Sequence, residues 1–158
     1  LDGFCGIGTI TLSLAKNASQ VTGVELYPQA VADAKQNAAI NDIHNARFYA
    51  GSCEEVITTL NQPFDVVVLD PPRAGCKAQT IEAVLKTNAA RIINVSCNPS
   101  TLARDLQLFA SKGYTITQVQ PVDMFPRTPH VECCVLLYRK DYIGEKGKKV
   151  TVEVGMNK

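Results

Sequence analysis

At 158 residues, with 46% hydrophobic and 20% charged side chains, the chain has the make-up of one domain with a proper core, neither disordered nor collagen-like. No stretch approaches the roughly 20 uninterrupted apolar residues of a membrane helix, and no basic-then-apolar leader precedes a small-residue cleavage site, so a soluble, cytoplasmic protein without a membrane partner is expected. The net charge of +1 divides unevenly: residues 1–70 carry three basic and eight acidic side chains, net −5, and residues 71–158 carry thirteen and seven, net +6. The basic half suits an anionic polymer, with a chance distribution on a solvated surface as the alternative.

The chain opens on Leu1-Asp2 directly before a glycine-rich turn, which reads as a piece of a longer protein cut inside or just before its first strand. A helix follows over 9–16, a strand over 21–24 and a helix over 28–40, with Pro28 in its first turn and Asn41 at its exit. Strands are predicted at 47–50 and 65–69, a helix at 80–87 and a strand at 91–95. Asn98 then caps a helix that has Pro99 at its first position and closes at Gly113 after Lys112. The last strands, 114–119 and 131–138, are joined by a loop holding Pro121, Pro126 and Pro129, and should pair antiparallel. Continuous apolar runs at 66–69 and 92–93 suit parallel strands covered on both faces. The fold expected is therefore α/β: a mostly parallel sheet with helices on both faces and an antiparallel C-terminal strand pair. Residues 1–140 form the domain, and 141–158 read as a lysine-rich solvated tail or a weak extra strand.

The six cysteines, at 5, 53, 76, 97, 133 and 134, make no CxxC pair and no Cys/His cluster, so no metal is expected and the thiols are read as reduced and mostly buried, Cys97 apart. Four segments carry chemistry. In Leu1-Asp2-Gly3-Phe4-Cys5-Gly6-Ile7-Gly8-Thr9 a strand end, a Gly-x-Gly turn and a helix start precede a strand that ends in Glu25. Glycines admit close backbone approach, and an acid at that strand tip accepts the hydroxyls of a ribose. Thr11 stands where a dinucleotide fingerprint has its third glycine; S-adenosylmethionine, NAD and a bare turn all remain open on this motif alone. Asp70-Pro71-Pro72-Arg73 follows the most apolar strand, its prolines holding a carboxylate at the rim of the crevice. A similar turn serves amino methyltransferases, but Arg73 fills the slot of their stacking aromatic, and a plain strand-ending turn is the other reading.

In Ser96-Cys97-Asn98-Pro99-Ser100-Thr101-Leu102-Ala103-Arg104-Asp105, Cys97 lies between a strand end and a helix N-terminus, whose free amides favour a thiolate, so it is placed as a nucleophile; a buried structural cysteine is the alternative. In Asp123-Met124-Phe125-Pro126-Arg127-Thr128-Pro129-His130-Val131-Glu132-Cys133, Glu132 begins an apolar strand, where desolvation would raise its pKa into a general base's range. His130 is a second acid/base candidate, more readily a structural hydrogen-bonder.

Taken in order, these four segments resemble the RNA uracil-5-methyltransferase family, the enzymes that make 5-methyluridine in transfer and ribosomal RNA. The resemblance runs to about Arg139 and implies a Rossmann-like class I S-adenosylmethionine-dependent methyltransferase domain acting on RNA. It implies that Cys97 adds to carbon 6 of uracil, that Glu132 removes the carbon 5 proton, and that Asp70 lies between cofactor and substrate. Phe4, Gly6, Gly8, Thr9, Glu25, Ser52 and Asp70 would form the cofactor site. Family members often carry Asp or Asn where Ser52 stands, and often an RNA-binding β-barrel and a central glutamine-bearing segment before this domain. Some bind an iron–sulfur cluster through cysteines of that part. Ribosomal RNA is slightly preferred as the substrate. The competing readings are an N-methyltransferase using Asp70-Pro71-Pro72, which would survive Cys97→Ala, and a non-catalytic nucleotide- or RNA-binding module, which would never form a covalent adduct.

Overall fold

The computed structural model describes residues 1–128 and 130–142. Elements run α1 (Thr9–Ala15), β1 (Val21–Glu25), α2 (Pro28–Ile40), β2 (Ala46–Ala50), α3 (Cys53–Leu60), β3 (Val66–Leu69), α4 (Ala78–Lys86), β4 (Arg91–Ser96), α5 (Pro99–Ser111), β5 (Tyr114–Val122) and β6 (Glu132–Arg139). β1 pairs with β2 and β3 with β4, both parallel. Asp2 joins the two pairs by parallel bridges to Gly23 and Val68. The order across the sheet is thus β2, β1, the Asp2 rung, β3, β4, β6, β5, with β6 antiparallel to both of its neighbours.

Burial explains the layering. Val67, Val68 and Leu69 are all buried, as a strand covered on both faces requires. On one side Cys5, Val31, Ala34, Ala38 and Phe48 form a cluster beneath α1 and α2. On the other, Ile81, Val84, Leu102, Leu106 and Phe109 of α4 and α5 pack on Ile92, Val135 and Leu137. β4 and β6 alternate buried and half-buried residues, so their second face is covered less completely. The α/β expectation, with helices on both faces and an antiparallel final strand pair, holds.

Three details differ from the sequence expectation. α3 was not predicted; its start is a capping box in which Ser52 accepts the Glu55 N–H and donates to the Glu55 carboxylate. Pro121 lies inside β5 rather than in the loop, which an edge strand tolerates because its outer side needs no ladder donor. Finally, β6 inserts between β4 and β5, a pairing between strands 36 residues apart that local patterning does not encode. The expected tail falls, from residue 143 onward, outside the described residues, as does Pro129.

Candidate active site

Open α/β sheets bind ligands at the carboxyl ends of their parallel strands. Five segments meet at that edge: the turn after Asp2, Glu25 ending β1, Gly51-Ser52 after β2, Asp70 after β3 and Cys97 after β4. Because β6 runs antiparallel, its first residue rather than its last reaches the same edge. The ladder ends on the Ser96–Cys133 pair, and Cys97 and Glu132, the next residues beyond it on each chain segment, stand at the same edge. Both are half-buried, beside the buried Ser96 and Cys133.

A cavity of about 600 Å³ opens at this edge of the sheet, lined among others by Phe4, Gly6, Glu25, Ser52, Asp70 and Pro71. Gly6 adopts φ 52, a left-handed turn that glycine takes without steric cost, and a Cβ there would meet no atom within 4 Å. Its amide donates to Glu25 Oε2 at 3.0 Å, and the Tyr27 amide donates to Oε1 at 3.0 Å. Two backbone donors fix the Glu25 carboxylate while leaving each oxygen a free lone pair. The adjoining Leu26 and Tyr27 are 58% and 69% exposed at the cavity wall. A fixed carboxylate beside exposed apolar side chains suits a ligand that joins vicinal hydroxyls to a flat ring, that is, a nucleoside.

Not every candidate residue reaches the cavity. Gly8 is buried at φ 92, and a Cβ there would come within 3.2 Å of Ala34 and Phe48, so its need for glycine is packing of α1 on the α2 side. Thr9 is exposed, its carbonyl accepting the Ser13 hydroxyl. Ser52 reaches the wall, but its hydroxyl is engaged in the α3 cap. Cys97 and Glu132 stand at the sheet edge outside the cavity lining. Sequence reading missed Leu26, Tyr27, Glu54 and Thr80 of the wall; Thr80 donates to Glu54 Oε2 at 2.9 Å.

Electrostatics separates the groups. Burial pushes the Cys5 and Cys53 thiols up to about 12, and those of Cys76 and Cys134 upward too, which keeps four of the six protonated and unreactive. Asp70 reaches solvent, yet the walls of the crevice desolvate its carboxyl enough to raise its pKa. Glu132 is raised by desolvation first and by the nearby Asp70 charge second. A half-buried thiol at the same edge as a carboxylate of raised basicity pairs a nucleophile for an electrophilic carbon with a proton acceptor. His130 lies on the exposed loop with its ring edge-on to Phe125 at 6.3 Å, and its amide donates to Thr128. Among the described residues no cluster of three or more His, Cys, Asp or Glu could hold a metal, and no helix is long and apolar enough to cross a membrane.

Several solved structures with this architecture are named as methyltransferases or methylases. An rRNA methylase of Streptococcus thermophilus superposes with a TM-score of 0.69 over 87% of this chain and 84% of its own, at 15% identity, a likeness of fold alone. The tRNA (uracil-54, C5)-methyltransferase of Pyrococcus abyssi, solved with S-adenosyl-L-homocysteine, gives 0.77 at 37% identity over 86% of this chain and 33% of its own. The chain belongs to the tRNA (uracil-5-)-methyltransferase family, whose family model matches residues 1–140. An uncharacterized RNA methyltransferase of Bacillus cereus is 48% identical over 142 residues, and one of Geobacter sulfurreducens is 50% identical over 143. These matches cover 88% and 89% of this chain but 31% and 29% of the relatives, so the chain spans about a third of their length.

Proposed function

We propose that the protein transfers a methyl group from S-adenosylmethionine to carbon 5 of a uridine in RNA through a covalent Cys97 adduct. The observation that carries this reading is the end of the β4–β6 ladder at Ser96–Cys133, which leaves Cys97 and Glu132 at one sheet edge, with Asp70 near enough to add to the raised Glu132 pKa. Family membership supports the chemistry, and the charge of residues 71–158 suits the phosphates around the target base.

Phe4, Gly6, Glu25, Leu26 and Tyr27 would hold the cofactor, Glu25 taking the ribose hydroxyls and Leu26 and Tyr27 flanking the adenine; the fixed carboxylate and open Gly6 turn fit that group. When bound, it supplies an electrophilic methyl on a sulfonium. Uracil carbon 5 is a poor nucleophile. Addition of the Cys97 thiolate to carbon 6 forms an S–C bond and pushes the π electrons toward the carbonyl, making carbon 5 nucleophilic. After carbon 5 is methylated, Glu132 takes its proton, the C5–H electrons restore the C5=C6 bond, and Cys97 leaves as thiolate. Asp70 would hydrogen-bond the uracil edge. A uridine in folded RNA must leave its stack to reach this edge. Gly8 and Thr9 act on α1 rather than on the cofactor in this reading, and Ser52 acts through the α3 cap.

The expected preference for ribosomal RNA has no residue behind it here, and the Pyrococcus relative is named for a tRNA site. The test is to incubate the full-length protein with S-adenosylmethionine and 5-fluorouridine-substituted ribosomal or transfer RNA. Fluorine cannot leave as a cation, so elimination stalls. An adduct mapped to Cys97 is expected, and the trapped RNA identifies the target. Cofactor binding with no adduct on either RNA would refute the reading.

A further inference from the structure

The helix that starts after Cys97 does more than supply an N-terminus, because one stripe of it grips the loop that follows Asp70. Asn98 Nδ2 and Thr101 Oγ1 both donate to the Arg73 carbonyl, at 3.1 and 3.0 Å. One turn on, Arg104 Nη2 donates to the carbonyls of Ala74 at 2.9 Å and Cys76 at 3.1 Å. Asp105, 1% exposed, accepts the Cys76 amide on Oδ2 at 2.7 Å, while its Oδ1 takes Arg104 Nε and Nη2 at 3.0 and 2.8 Å. Positions 98, 101, 104 and 105 share a helix face, so a single stripe meets four polar backbone groups of the loop, on Arg73, Ala74 and Cys76.

The loop is shaped to be held. Gly75 stands at φ 76, and a Cβ there would lie 2.6 Å from Arg104 Nη2 and 2.7 Å from Asp105 Oδ2, so the loop backbone rests directly on the charged pair. Ala74, Gly75 and Lys77 of this loop also wall the cavity. Apolar packing would fix the helix against its neighbours equally well, but only a buried acceptor of fixed orientation satisfies the Cys76 amide.

We infer that Arg104 and Asp105 are positioning residues, which set the Asp70 turn and the cavity wall at a fixed distance from the Cys97 nucleophile. This rests on the uridine methylation reading above. Neither residue touches substrate or cofactor; they act by holding the loop, and misplacement of reacting groups by about 1 Å costs on the order of 100-fold in rate.

The test uses the full-length protein with Asp105→Asn, Arg104→Ala and Arg104→Lys. Asp105→Asn keeps the volume but turns an amide NH2 on either Arg104 or the Cys76 N–H. The expected result is a fall in kcat of about 10- to 100-fold with KM for RNA and affinity for S-adenosylhomocysteine changed by less than about threefold, and partial recovery by Arg104→Lys relative to Arg104→Ala. Amide exchange of residues 73–77 should accelerate while that of β3 and β4 does not. Should Asp105→Asn fail to fold, the exposed Arg104 pair carries the same comparison. Faster loop exchange with unchanged kcat, or unchanged exchange, would overturn the inference. No 5-fluorouridine adduct in the unsubstituted protein would overturn the methylation reading instead, and unchanged loop exchange would then still overturn the seam.

Discussion

Replacing Glu25 with alanine tests the cofactor site at its most constrained point. The carboxylate is held by the Gly6 and Tyr27 amides at 3.0 Å each, and its remaining lone pairs are free for ribose hydroxyls. A hydrogen bond to a charged group is worth about 1.5–3 kcal/mol when its partner is left without a substitute. The wall beside Leu26 and Tyr27 is open to water, which solvates the freed amides and recovers part of that sum. The expected loss of affinity is about 1–3 kcal/mol, or about 5- to 150-fold in Kd. Glu25→Gln should behave like the alanine variant, since its NH2 faces one of the two amide donors. The assay is calorimetric titration of the full-length protein with S-adenosylhomocysteine, alongside thermal unfolding to show that the fold persists. A Kd within about twofold of the unsubstituted protein, with an unchanged unfolding midpoint, would refute the assignment, because loss of a charged acceptor cannot be that cheap.

Glu132→Gln should permit addition and methylation but block elimination, so RNA without 5-fluorouridine becomes trapped on Cys97 as the methylated adduct in a denaturing gel; normal turnover would remove Glu132 as the base. Cys97→Ser should abolish methyl transfer and leave cofactor affinity within a few-fold, and an equal loss of binding would contradict a purely nucleophilic role. The pH dependence carries a definite sign: desolvation first and the Asp70 charge second raise the Glu132 pKa, and the base works only when ionised, so kcat falls as pH drops through that raised value. Asp70→Asn should therefore move the acid limb of the kcat profile to lower pH, whatever it does to the maximum. An acid limb that stays put or moves upward would show that the two carboxylates do not interact. Phe109→Ala, which empties a fully buried ring packed edge-on to Tyr114, should cost about 3–5 kcal/mol in denaturant unfolding.

Where the chain's chemistry could be read from sequence, the reason is local. Asn98 caps α5 through the Ser100 amide, and Pro28 and Pro99 open their helices where the sequence puts them. Glu25 reaches the cavity wall where the sequence expects it, at the tip of β1. Ser52 lines the same wall, and its Ser-x-x-Glu spacing is equally a helix start, so spacing does not separate the two roles. Gly6 and Gly8 share one motif, and spacing alone does not tell a glycine at the cavity wall from one packed on Phe48. The grip of Arg104 and Asp105 on residues 73–76 joins segments about 30 residues apart and leaves no periodic trace.

In the uridine-methylation reading, the antiparallel strand is what brings the proposed base to the ligand-binding edge of the sheet. A parallel final strand would deliver its carboxyl end to the cavity and send Glu132 to the opposite side of the molecule. Running β6 backwards beside β4 instead brings the start of a strand to the edge where the other strands finish, so Glu132 begins its strand at the same edge where Cys97 follows β4. The charge division follows the same seam. The acids that line the cavity, Glu25, Glu54 and Asp70, all come from residues 1–70, and they suit a cofactor that is cationic at its reacting sulfonium. Cys97, Glu132 and the basic excess come from residues 71–158, and that excess suits a polyanion. Asp70, the last residue of the acidic half, lines the cavity and, after desolvation, adds to the upward shift of the Glu132 pKa.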